Sequence, residues 1–137
     1  MYNAVSSRAA NAYRKVSAET NVDGASPHQL IALLFDGLRQ ALASAEAALL
    51  RGDMAVKGAQ IVRSVRFIEE GLKGGLDDAK GGDLAARLRA LYDYCILRLT
   101  IANTRNDARI VAEVASLIAP VAQGWQEIGR SVAVPSI

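Results

Sequence analysis

One signal recurs four times along this chain and narrows its folds more than any other. Apolar residues return at spacings of three and four, and each long run ends at a short polar or glycine-rich break. The first stripe is Leu30, Leu33, Leu34, Leu38, Ala41, Leu42, Ala45 and Leu49. The second is Met54, Ile61, Val65, Ile68, Leu72 and Leu76. Leu84, Leu88, Leu91, Cys95, Leu99 and Ala102 make the third. The fourth is Ile110, Val114, Leu117, Val121, Trp125, Ile128 and Val132. No run alternates with the period of two that a half-buried strand requires. Four such helices joined by short turns predict an all-α, antiparallel four-helix bundle.

The breaks carry helix-end chemistry. Ser26 suits the N-cap, Pro27 the first helical position and Gln29 the third, which together form a capping box. Gly52 suits a left-handed stop, so "RGD" at 51–53 reads as a helix end and not as an adhesion motif. Asp53 and Asp83 are the expected caps of the next two helices, with "AKGGD" as a turn between them. "NTRND" at 103–107 separates the last two, and Pro120 should bend the final helix.

Residues 1–25 read as a separate unit. Tyr2, Val5, Ala9, Tyr13 and Val16 give a thin, largely alanine face, and "ETNVDGA" then breaks the pattern. Two readings fit: a tethered helix that docks reversibly, or a frayed terminal helix. The expected organisation is a short extra helix and linker over 1–25, the bundle over 26–132 and a tail over 133–137.

With 137 residues this is one domain, large enough for its own core. The net charge is +2 with the two signs well mixed, which argues against a nucleic-acid surface. No apolar run approaches the roughly 20 residues of a membrane span, and none resembles a secretory leader. A single cysteine forms no internal disulfide, so the expected setting is the reducing cytosol.

Catalytic chemistry finds few candidates. One histidine and one cysteine do not make a conventional metal site, and no cofactor motif is present. His28 could carry phosphate, as single histidines in some helical bundles do. Its place in a capped first turn is already explained as a surface residue of a helix start, which is the favoured reading. Cys95 falls on a core stripe, where a thiol is inert. Tyr92 and Tyr94 project about 200° apart on a helix, so Tyr92 is expected to pack inward and Tyr94 to lie nearer the surface. Function then belongs to a surface, most simply a groove that takes a helix.

The segments "ASPHQLIALLFDG" (25–37), "GDMAVKG" (52–58), "LYDYCILRLTIANTRND" (91–107) and "EVASLIAPVAQGWQEI" (113–128), in this order and spacing, resemble the flagellin export chaperone family, FliS. The resemblance runs from about Tyr13 to Ile128. It implies a bacterial cytosolic, non-enzymatic protein that binds the disordered C-terminal segment of flagellin. By the same resemblance, it blocks premature polymerisation and aids delivery to the flagellar type III export apparatus. Tyr13 matches the family's N-terminal tyrosine, while Phe35 stands where tyrosine is frequent. Tyr13, Phe35, Tyr92 and Tyr94 are the client-binding residues that the resemblance suggests. A phosphotransfer bundle using His28 and a helical adaptor with an unrelated client are the alternatives.

Overall fold

Ser26 starts the bundle as its sequence dictates. In the computed structural model, which describes residues 4–16 and 24–133, its hydroxyl accepts from the Gln29 amide at 3.1 Å. The Gln29 side chain accepts from the Ser26 amide at 2.7 Å, which completes the capping box. Helix α2 then runs Pro27–Arg51 and stops at Gly52, whose φ of 77° is open to glycine at little cost. Asp53 caps helix α3, Met54–Arg66, by accepting from the Val56 amide at 3.2 Å.

Helix α3 continues directly into a π-helical stretch, Phe67–Lys73, which the periodicity did not predict. Two glycines explain how it fits. A Cβ at Gly37 of α2 would collide with the Phe67 ring, and one at Gly74 would press on the Glu70 carbonyl. The wider turn thus has room on both sides.

Asp77, and not Asp83, caps helix α4, Asp78–Arg105, by accepting from the Lys80 amide. Its first turn ends at Gly82, which adopts φ 51°, ψ −127° and interrupts the helical path. The expected turn at "AKGGD" is therefore one helical turn followed by a kink. Leu84, placed on the core stripe by its spacing, is exposed just past that kink, and Ala85 is buried instead. Asn106 ends α4 in the left-handed region with φ 54°. Asp107 starts helix α5, Ala108–Ala133, by accepting from the Arg109 amide at 2.9 Å. Helix α5 continues through Pro120 unbroken.

Helix α2 lies between α3 and α5, and α4 closes the ring against α5 and the π-helical stretch. Leu34, Leu38, Ile68, Cys95, Leu99 and Ile118 have no exposed surface and form the centre. Each such leucine or isoleucine contributes about 1.5–3 kcal/mol by leaving water. The buried face of α5 centres on Val111, Val114 and Ile118, with Leu117 and Val121 half-buried and Ile128 exposed. Helix α1, Ala4–Val16, packs on α2 and the π-helical stretch through Ala9, Ala12 and Tyr13. Arg66 donates to the Lys15 carbonyl at 2.6 Å, satisfying a group that the end of α1 leaves unpaired. The linker and tail expected from sequence fall largely on 17–23 and 134–137, outside the described residues.

Candidate functional site

Two openings on the bundle surface are bounded by described residues. The first is an apolar slot of about 210 Å³ at the end where α2 begins. Every helix except the first part of α3 reaches it: Ala9 from α1, His28 and Phe35 from α2, Leu72 from the π-helical stretch, Tyr92 from α4 and Trp125 from α5. No Asp, Glu, Lys or Arg lines it.

His28 is not the free surface residue that its capped first turn suggested. Its ring stacks flat on Trp125, with centroids 4.6 Å apart and planes 3° from parallel. Its Nε2 lies 2.6 Å from the Trp125 carbonyl oxygen, and the Trp125 indole N–H donates to the His28 carbonyl at 3.1 Å. The carbonyl can only accept, so Nε2 carries the proton. A Cβ on Gly129 would collide with the ring, so that glycine is what lets α5 approach. This reciprocal pair ties the start of α2 to the end of α5.

The second opening, about 240 Å³, lies in the seam between α3 and α4, bounded by Ile61, Val62, Val65 and Arg66 on one side and Thr100 and Asn103 on the other. Val62 is 54% exposed beside it, and Leu97, farther along α4, is 57% exposed. At the far end of α4 the Lys57 ammonium donates to the Asn103 carbonyl at 3.1 Å and to its side-chain oxygen at 2.7 Å. Lys57 is only 9% exposed. Its position on the core-facing stripe of α3, between Met54 and Ile61, was the sequence signal for it.

Of the four residues suggested for the client, Tyr13, Phe35 and Tyr92 are buried and Tyr94 is exposed. Phe35 and Tyr92 share the slot. Tyr94 stands elsewhere, on the α4–α5 face, where its hydroxyl donates to Glu113 at 2.6 Å beside the Arg98–Glu113 ion pair at 2.8 Å. Those two donors hold the Glu113 carboxyl below its ordinary range. The same hydrogen bond raises the Tyr94 phenol. Burial pushes the Cys95 thiol up to about 11, so it is protonated and unreactive at neutral pH.

Fold and openings together define a class: an all-helical bundle that presents apolar recesses to solvent and has an extra N-terminal helix laid across one seam. The sequence matches the family described as flagellar protein FliS over residues 9–132. It is 48% identical to the flagellar secretion chaperone FliS of Salmonella typhimurium strain LT2, over 85% of this chain and 87% of that one. It is 41% identical to the flagellar secretion chaperone FliSB of Pseudomonas aeruginosa PAO1, over 90% of this chain and 97% of that one. The chain belongs to the FliS family. No described helix is long and apolar enough to cross a membrane.

Proposed function

We propose that this protein is a cytosolic export chaperone that binds the disordered C-terminal segment of flagellin, prevents premature polymerisation and aids delivery to the flagellar type III export apparatus. The observation that carries the reading is membership of FliS across nearly the whole chain, with relatives named flagellar secretion chaperones. The geometry supports it. A client that becomes helical only in the filament has an apolar face to hide, and the α3–α4 seam offers apolar side chains at helical spacing for it. The client loses chain entropy on ordering, so its affinity is moderate for the area it buries.

Tyr94 is exposed on the α4–α5 face, Phe35 and Tyr92 line the slot, and Tyr13 is buried where α1 packs on α2 and the π-helical stretch. Deleting residues 1–18 is expected to leave the bundle folded. It should raise the client on-rate if α1 only blocks, or lower affinity if Tyr13 repacks onto the bound client; unchanged on- and off-rates refute both. Phosphotransfer through His28 is the weaker reading, since the ring has one face on Trp125 and Nε2 committed.

Calorimetric titration with the flagellin C-terminal segment tests the assignment. The expected result is one chaperone per client chain, a negative heat-capacity change, helix gained by circular dichroism and modest salt dependence. Absence of binding heat at micromolar concentrations, with this protein folded, refutes it.

A further inference from the structure

We propose that the slot at the start of α2 is a binding site for a small, neutral aromatic molecule carrying one hydrogen-bonding group, of the phenol and indole class. Size is the first argument. The slot holds about 210 Å³, and an engineered apolar cavity of about 150 Å³ stays dry and admits benzene. Water entering this one finds few polar partners.

Chemistry narrows the occupant. Aromatic residues make up only 5% of the chain, yet Phe35, Tyr92 and Trp125 converge here from three helices. Trp125 is held flat by the His28 stack, and a fixed ring face loses no freedom when a second ring meets it. With no Asp, Glu, Lys or Arg in the wall, a charged ligand would lose its hydration without compensation. Tyr92 supplies the polar element. It is 2% exposed, and its hydroxyl has no hydrogen-bond partner among the described residues. Burial raises its pKa, so the phenol stays neutral and can donate to or accept from a ligand. With that hydroxyl unpaired among the described residues, a ligand with one matching group can bond to it inside the slot. A purely aliphatic or purely aromatic hydrocarbon cannot.

Phe35 and Tyr92 are also among the residues suggested for the client, but the test uses no flagellin, so either reading can fail without the other. The chain has one tryptophan, so the Trp125 indole N–H is a single resolved probe in the spectrum of the ¹⁵N-labelled full-length protein. Phenol, indole and benzene are each titrated to millimolar concentration. The expected result is a saturable shift of that resonance with all three. Tyr92→Phe weakens phenol about fivefold and leaves benzene unchanged, as the loss of one hydrogen bond requires. Val121→Phe fills the slot and abolishes the saturable shift. Displacement of benzene by phenol shows a common site without depending on the fold of either variant. Linear, unsaturating shifts overturn the proposal. So does equal weakening of phenol and benzene by Tyr92→Phe, or undiminished binding to a folded Val121→Phe protein.

Discussion

Where α2 begins, two stacked rings and a reciprocal pair of hydrogen bonds tie α2 to α5; where α3 begins, a single lysine ties α3 to α4. Both closures join residues far apart in the chain, and they leave different surfaces behind. The ring pair is flat and sits among apolar side chains, so the opening beside it is an apolar slot. Lys57 brings a charge and a polar partner, so its end of the α3–α4 seam keeps a polar edge beside exposed apolar groups. No carboxylate pairs with Lys57 among the described residues. Its ammonium instead meets the carbonyl end of α4, where the helix dipole is negative and the last carbonyls lack partners.

Removing the tryptophan separates the two closures most sharply. Trp125→Ala takes away the ring under His28, one wall of the slot and the donor to the His28 carbonyl. We expect a loss of about 3 kcal/mol in urea unfolding. A cost under about 1 kcal/mol would mean that the stack contributes little to stability.

His28→Gln keeps a polar group at the same place but loses the stacking surface. Its expected cost is about 2 kcal/mol, from one aromatic pair and one imperfectly replaced hydrogen bond. Combined with Trp125→Phe in a double-mutant cycle, it should show coupling of about 1 kcal/mol. Strict additivity would break the claim that the two rings act as a unit.

At the opposite end, Lys57→Met keeps the apolar stem and removes the charge and both hydrogen bonds. The Asn103 groups lie beside an open seam, where water can replace the ammonium. The expected cost is therefore smaller, about 1 kcal/mol. A cost as large as that of Trp125→Ala would mean that the two ends close with equal strength.

The contrast also separates what the sequence discloses from what it hides. Ser26, Gln29, Gly52 and Asp53 act within three or four residues of themselves, so their residue types alone place the helix ends. Ser26→Ala should accordingly cost about 1 kcal/mol, the ordinary value of a cap. Cys95 and Leu99 sit on an uninterrupted stripe and are buried where the spacing puts them. Leu84 is exposed because the kink at Gly82 shifts the phase that the spacing assumes. The π-helical stretch likewise depends on room that Gly37 of a neighbouring helix provides. His28 meets a partner 97 positions away, and no local pattern announces that contact. For the same reason the slot could not be read from Phe35 and Tyr92 separately, although each aromatic residue drew notice by itself.

A third junction, on the α4–α5 face, should give the smallest effect because it is open to water. Glu113 accepts from the Tyr94 hydroxyl and from Arg98, which together hold its carboxyl below the ordinary value of 4.5. The unfolded chain therefore binds this proton more tightly than the folded one does. Stability from this group is fully present above the unfolded pKa and is lost as pH falls through the folded pKa. Water and salt screen an exposed pair, so the contribution is modest. The check is the urea midpoint of the wild type and of Glu113→Gln between about pH 7 and about pH 3. The wild type should lead at neutral pH, and its lead should shrink only in the acidic part of that range. A lead that persists unchanged to the lowest pH would show that Glu113 holds Tyr94 and Arg98 by shape and hydrogen bonding, with its charge contributing nothing.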